Sequence, residues 1–380
     1  MTNKKISLKE LLWHFLKIGS IGFGGGMAVI ALIEKELIKK KEVISLDEFL
    51  HGIGFGQILG PFAVNTSIFI GYRSYGLLGG VLCAIFFMLP SISLVIILSY
   101  LYFKFHSIPS LQIALKGIGP VVIALILSAG WSMGKKAIKS KISLLIAFFG
   151  LLLSYIKINP IIILILAGLV GVILGLKKEQ KKTEEKAKIK VNKNFLAIPF
   201  SFFTGSSLSS PFILAINFFK TGLVFFGGGF VLIPILHQQL VEHLGWLTQK
   251  EFIDGVAISN LTPGPIAVLA TFAGFKVYGF LGAIISTISL FLPSIILMLI
   301  ISKGYQYLKD WYYFRFFLDG VVPAVIGLII NAGILLSFGV LTNLYAYVML
   351  IISFLLLTRF KLHPAIVLAI GAVTGIILGL

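Results

Sequence analysis

Charge is what this sequence has least of. Charged residues are 12% of the 380-residue chain, about half the share of roughly 25% usual in soluble domains. Hydrophobic residues reach 58%, and mean hydropathy is +1.03. A soluble fold of this length could not hide that much apolar side chain or keep its surface wet, so water is excluded as the main solvent and disorder with it. Acidic residues are scarcer still, at 14 Asp and Glu against 32 Lys and Arg, a net charge of +18. In a soluble protein that excess would point to nucleic acid. In a membrane protein Lys and Arg collect in cytoplasmic loops, and no nucleic-acid partner is expected. Cysteine occurs once, as Cys83 in an apolar run. That excludes an internal disulfide, a CxxC redox pair and a thiolate metal cage.

Catalytic patterns are missing as well. The six His form no HExxH, and no GxSxG occurs. GFGGGM lacks the Lys-Ser/Thr end of a phosphate loop, and FGFGQILG follows no strand. No enzyme activity, metal or cofactor is expected. The alternation of a membrane β-barrel is absent too. The N-terminus leads into an apolar stretch with no small-residue cleavage site, and reads as a retained first segment.

What the chain does have is apolar windows of helical length. They fall near 11–33, 52–72, 75–103, 113–132, 142–156 and 160–176, and again near 212–236, 253–275, 277–302, 316–337, 344–358 and 364–380. At about 20 residues per crossing, the length predicts roughly ten or more crossings. Between the two sets lies KKEQKKTEEKAKIKVNKN (177–194), with eight Lys and three Glu and no apolar period, a solvated linker. The expected organisation is a first repeat over 1–176, a Lys-rich linker and lead-in over 177–211, and a second repeat over 212–380.

The two sets are copies. An offset of 203 pairs Phe23-Gly24-Gly25-Gly26 with Phe226-Gly227-Gly228-Gly229, Lys17 with Lys220, and Glu48 with Glu251. The same offset pairs Arg73 with Lys276, Tyr75-Gly76 with Tyr278-Gly279, and Leu89-Pro90-Ser91 with Leu292-Pro293-Ser294. Gly60-Pro61 matches Gly264-Pro265 at 204, as Lys157 and Pro160 match Lys361 and Pro364. Chance apolar similarity cannot hold one register at Gly, Pro and charged positions, and internal repeats of this kind mark secondary transporters. The fold class is an all-α polytopic membrane protein of two homologous multi-helix halves with broken Gly/Pro-rich helices. Positive loops change place between the halves: Lys135 to Lys141 follow the fourth window of the first, while 338–343 in the second holds no Lys or Arg. The halves are therefore expected to be inverted relative to each other. That requires one window to be re-entrant, or 195–204 to contribute, or 75–103 to break in two at Pro90.

The residues that could carry chemistry cluster at the breaks. A run of three glycines continues a helix badly but frees backbone N–H groups for an anion, so Gly24, Gly25, Gly26, Gly227, Gly228 and Gly229 are candidates for substrate binding. Pro263-Gly264-Pro265 cannot lie in an unbroken helix. With Gly60, Pro61, Asn65, Asn260 and Thr262, it reads as a discontinuous-helix site, or as polar groups bonded between helices. Lys17 and Lys220 fall within or near apolar runs, where a Lys costs about 2.5–3.5 kcal/mol at mid-membrane. They would then face an anion, or else snorkel to the interface. Arg73 and Lys276 are further candidate cations. Glu48 and Glu251 open the second window of each half, and either carry a coupling proton or cap a helix.

At FLKIGSIGFGGGMAVI and NFFKTGLVFFGGGFVLIP, and at GQILGPFAVN and NLTPGPIAVLATFAG, the chain resembles the chromate ion transporter family in its long, two-domain form. The resemblance spans nearly everything outside the linker and residues 1–8. Leu59 stands where that family has the first Pro of its PGP motif. The resemblance implies export of chromate across the inner (cytoplasmic) membrane, with sulfate as the look-alike substrate. Residue chemistry alone implies a secondary carrier for a tetrahedral oxyanion in the lipid bilayer. It leaves open an anion channel, a carrier for another small anion, a lipid-directed membrane enzyme using Glu48 and Glu251, and a homodimer as the assembly.

Overall fold

The computed structural model describes residues 6–22, 26–105, 108–183, 210–225, 229–304 and 312–378. Every regular element among them is helical. The first half runs α1 (Leu8–Ile21), α2 (Gly26–Ile33), α3 (Leu46–Ile58), α4 (Phe62–Phe105), α5 (Pro109–Ala137), α6 (Lys141–Tyr155) and α7 (Pro160–Thr183). The second repeats the order with α8 (Pro211–Leu223), α9 (Leu232–His237), α10 (Gln249–Asn260), α11 (Leu269–Lys303), α12 (Tyr312–Ser337), α13 (Leu344–Thr358) and α14 (Pro364–Leu378). Even a π-helical turn recurs, Glu34–Lys39 after α2 and Gln238–His243 after α9.

Local chemistry sets the helix starts. Ser45 and Glu48 form a reciprocal capping box on α3, and Thr248 and Glu251 form the same box on α10. Pro109 and Pro211 sit at first helical positions, where a missing N–H costs nothing.

The matched Tyr-Gly pairs fold two helices back on themselves. Gly76 has φ 62° and ψ −152°, and Gly279 has φ 57° and ψ −144°, a region open to glycine almost alone. Thr271 and Thr287 Oγ1 atoms then lie 2.7 Å apart, and the Ser286 hydroxyl donates to the Ala270 carbonyl at 2.7 Å. In a continuous helix, residues 16 apart would be about 24 Å apart. Each of α4 and α11 is thus a hairpin, with a short arm ending before Gly76 or Gly279 and a long arm after it. Gly71 meets Gly79, and Gly274 meets Gly282, backbone against backbone, the close approach that small residues permit in membranes.

Four described helices are long and apolar enough to cross a bilayer: Phe62–Phe105, Pro109–Lys135, Ile266–Lys303 and Phe316–Ser337. Roughly ten crossings were expected from length. The difference arises because windows 52–72 and 253–275 are each interrupted and their second parts join the long α4 and α11, while the apolar stretches of α6, α7, α8, α13 and α14 are only 10–17 residues long. Of the three alternatives, the break at Pro90 does not occur. The helix continues through Pro90, as its counterpart continues through Pro293, and the chain folds back instead at Gly76 and Gly279. α7 also runs on to Thr183, seven residues into the stretch expected to be linker. Residues 184–209 lie outside the described residues.

The halves interlock. The α6–α7 hairpin of the first half packs on α12 of the second, and the α13–α14 hairpin of the second packs on α5 of the first. Matched glycines make this possible: Gly117 lies against the backbone of Gly371 and Gly375, and Gly320 against Ala167 and Gly171. α4 meets α11 and α5 meets α12 between them.

A Cβ at Gly279 would meet nothing within 4 Å, so Gly279→Ala reports backbone strain alone. It should destabilise by about 1–3 kcal/mol. Gly54, equally unhindered but inside α3, should gain up to about 1 kcal/mol as Gly54→Ala. Thermal melts in detergent separate the two, and equal melting temperatures would mean that the fold-back does not depend on glycine.

Candidate functional site at the paired helix breaks

Two interruptions lie at matched places, residues 59–61 between α3 and α4 and residues 261–265 between α10 and α11. Glycine turns the chain at each, Gly60 with φ 111° and Gly264 with φ 144°. They differ in length for a reason visible in the sequence. Leu59 keeps an N–H that donates to the Phe55 carbonyl at 3.1 Å and closes the last turn of α3. Pro263 has no N–H to give, and the second break is longer.

Each break is held by the other half. Ser294, from the long arm of α11, lies 3.0 Å from the Leu59 carbonyl oxygen and 2.8 Å from the Asn65 side-chain oxygen. Its repeat mate Ser91, from the long arm of α4, lies 3.2 Å from the Thr262 hydroxyl. Both serines directly follow the in-helix prolines, so the Leu-Pro-Ser motif of each half is a reciprocal brace. All four polar side chains are buried, where an unmade hydrogen bond is costly.

The breaks open onto a cavity of about 480 Å³ lined by both halves. Gly26, Pro61, Phe62 and Ala63 come from the first; Gly229, Asn260, Thr262, Gly264 and Pro265 from the second. The glycine runs end beside the breaks of their own halves. A methyl on Gly26 would strike the Phe62 ring, and one on Gly229 would come 2.6 Å from Ile266. Gly24, Gly25, Gly227 and Gly228 lie outside the described residues.

Donors are few. Ser128, Ser259 and Thr262 give their hydroxyl hydrogens to carbonyls of Leu125, Gly255 and Ser259, at 2.9, 2.8 and 3.0 Å. Asn260 gives one amide hydrogen to the Val256 carbonyl at 2.8 Å and retains a second. At the start of α4, the first N–H groups after Pro61 have no partner in their own helix. Lys361 is the one Lys or Arg among the described residues lining the cavity. It is exposed, in the connection between α13 and α14, with φ 53°. Beside it, burial holds the His363 imidazole below its ordinary range, so the charge there is that of Lys361.

The other sequence candidates lie elsewhere. Arg73 pairs with Glu48, and Lys276 with Glu251 at 2.6 Å. These are matched ion pairs on the helix caps, away from the cavity lining. Burial pushes the Glu251 carboxyl up, but its bond from Lys276 and those from Thr248 outweigh this and hold it below the usual range. Lys17 is exposed on α1 and Lys220 partly buried on α8, and neither is in the cavity wall. Gly60 and Asn65 brace the wall rather than face the cavity, and Pro263 is not among its lining residues. Sequence reasoning missed Lys361 as a site residue, although its match with Lys157 was legible.

A family model for chromate transporters matches residues 9–172 and 212–376, once on each half. The chain belongs to the chromate transporter family. It is similar to the chromate transport protein of Cupriavidus metallidurans, 28% identical over 378 residues covering 98% of this chain and 93% of the relative. It is also similar to a chromate transport protein of Pseudomonas aeruginosa, 31% identical over 85% of this chain and 80% of the relative. An uncharacterized transporter of Bacillus subtilis, YwrA, is 29% identical over 169 residues, 43% of this chain but 93% of its own length. A relative the size of one half fits a duplicated unit. No solved structure matches the chain. The protein is therefore a multi-pass membrane transporter of this family.

The brace makes a prediction for this chromate transporter family member. Ser294 shares its one hydroxyl hydrogen between two buried acceptors and Ser91 gives its own to one, so Ser294→Ala and Ser91→Ala should destabilise by similar amounts. Each should cost about 0.5–1.5 kcal/mol, and the pair of changes should weaken anion-induced stabilisation. Thermal melts with and without chromate measure both. Wild-type melting of both variants would remove the brace from the account.

Proposed function

We propose that the chain is a secondary carrier for a tetrahedral oxyanion, with chromate exported from the cytoplasm as its substrate and sulfate as the look-alike. The observation that carries this reading is the cavity between the two breaks. Its donors include an ammonium, an amide hydrogen, the Ser132 hydroxyl and helix-start N–H groups, and no acidic side chain lines it among the described residues. Such a set suits an anion that must lose its water. Four oxygens around one centre need donors from several directions, and both halves line the cavity. The names of the relatives from Cupriavidus metallidurans and Pseudomonas aeruginosa support chromate. Size and charge alone do not separate chromate from sulfate.

In this proposal Lys361, Asn260 and the N–H groups after Pro61 and at the glycine runs touch the anion. Gly60, Asn65, Thr262, Pro263, Gly264 and Pro265 shape its walls. Lys17 and Lys220, outside the cavity lining, raise the local anion concentration, while Arg73 and Lys276 are balanced by Glu48 and Glu251. The protein resides in the cytoplasmic membrane, with the homodimer as its proposed assembly.

Chromate uptake into vesicles tests the site. Lys361→Met should raise the KM roughly tenfold to a hundredfold, the worth of one charge-assisted hydrogen bond. Lys361→Arg should be milder. Lys157→Met, the matched change at a connection outside this cavity lining, should stay within about twofold. If Lys17→Met and Lys220→Met abolish transport while Lys361→Met does not, the anion sits elsewhere. Saturable counterflow without bilayer conductance separates a carrier from a channel.

Opposite insertion of the halves is part of the same proposal. The native Cys83 is buried, so introduced cysteines can be labelled against a quiet background. Lys139 and its repeat mate Thr342 are both exposed. Lys139→Cys should react from the cytoplasmic side and Thr342→Cys from the outside, and labelling of both from one side would exclude inversion.

A further inference from the structure

Among the described residues, Asp254 is the one acidic or Lys/Arg side chain that is buried, at 2% exposure. The other acids with recorded partners are in ion pairs at the surface, Glu48 and Glu251 included. Asp254 has no cation within ion-pair distance among the described residues. Its Oδ2 accepts a 2.7 Å hydrogen bond from the Tyr102 hydroxyl, on the far end of the long arm of α4. A buried carboxylate held by a neutral phenol alone is poorly compensated.

Its position adds to this. Asp254 lines a second cavity of about 540 Å³, distinct in its lining from the central one. The same helix, α10, carries Asn260 on the wall of the central cavity. Six residues separate them, about 9 Å along the axis. Asp254 thus lies in the wall of the second cavity, on the same helix that ends in the anion-facing break. The 203 offset puts His51 at the matching place in the first half, where it is exposed, so the buried acid belongs to one half only.

We infer that Asp254 is the protonation site that couples anion binding in the central cavity to a proton. The inference rests on reading that cavity as an oxyanion site and adds the coupling ion to it. The step is simple: a proton binds a carboxylate oxygen of Asp254, no other bond breaks, and the Tyr102 hydroxyl stays in place. An ionised Asp254 repels a dianion at Asn260, and a neutral one does not. Proton and anion therefore favour the same state, and each raises the affinity for the other by one common factor.

The groups facing Asp254 permit this. α4 contributes Tyr102, α5 contributes Lys116, and α13 contributes Tyr345. On α10 itself lie Lys250 and Glu251, the latter paired with Lys276 of α11. α14 carries no titratable residue in its sequence. α10 is not among the four bilayer-length helices. There burial pushes the Asp254 carboxyl up to about 6, against the downward pull of the Tyr102 bond and Lys250.

Infrared titration of the full chain in detergent, with sulfate as probe, tests this. Sulfate remains a dianion across the range used, whereas chromate itself takes up a proton there. A protonated-carboxyl band should grow in as pH falls through about 6, and be missing in Asp254→Asn. Tyr102→Phe should move its midpoint upward, which a merely structural loss would not do. Saturating sulfate should raise the midpoint by about one to two pH units, and sulfate should bind roughly 5- to 150-fold more tightly at pH 5 than at pH 8. In Asp254→Asn that pH dependence should vanish; Asp254→Glu, which keeps the acid, should retain it and serves if the amide fails to fold. No carboxyl band between pH 5 and 8, or a midpoint that sulfate leaves unmoved while still raising the melting temperature, overturns the coupling and spares the anion site. If neither sulfate nor chromate raises the melting temperature at any pH, the reading of the cavity fails, and the coupling with it.

Discussion

The constraint on which this structure depends is the cost of an unpaired backbone group away from water. A helix can be broken inside a membrane only where something else satisfies its ends. Here that something is the other half of the chain. Ser294 reaches into the first break and Ser91 into the second. The exchange of α6–α7 and α13–α14 across the middle then locks the halves in the register that keeps the braces in place. Neither half offers a complete cavity wall alone, which gives a physical reason for fusing two copies.

Duplication is kept where the halves brace each other and relaxed where chemistry differs. The capping boxes, the Glu48–Arg73 and Glu251–Lys276 pairs and the Tyr-Gly turns are matched almost atom for atom. The central cavity is not symmetric. Lys361 lines it and Lys157 does not, Leu59 closes a helix turn where Pro263 cannot, and Asp254 is buried where His51 is exposed. A transporter that must bind on one side and release on the other needs such inequality between its two walls.

Much of this was legible in the sequence. The apolar windows and the 203 offset read out the duplicated membrane fold, because lipid forces backbone pairing into helices and leaves periodicity as the main signal. The breaks were legible at Pro263-Gly264-Pro265, since no helix accommodates that run. The fold-backs were not. Tyr75-Gly76 and Tyr278-Gly279 look like ordinary small-residue positions until Thr271 and Thr287 are found side by side. Nor was the division of labour among the cations legible. Lys17 and Lys220 stood out because apolar residues surround them in the chain, whereas Lys361 sits in a connection and reaches the cavity only through the packing of α13 and α14 on α5. Ser91 and Ser294 were visible as matched residues, but their purpose lies in contacts across 171 and 235 positions of chain.

The central claim is that the anion binds between the two breaks. Chromium scatters anomalously, so diffraction from crystals grown with chromate locates it without reference to any assumed chemistry. The account predicts one strong chromium peak inside the cavity bounded by residues 59–61 and 261–265, within hydrogen-bond reach of Asn260 or Lys361. A peak beside Lys17 and Lys220, or at the Arg73 and Lys276 ion pairs, with the central cavity empty, would contradict it.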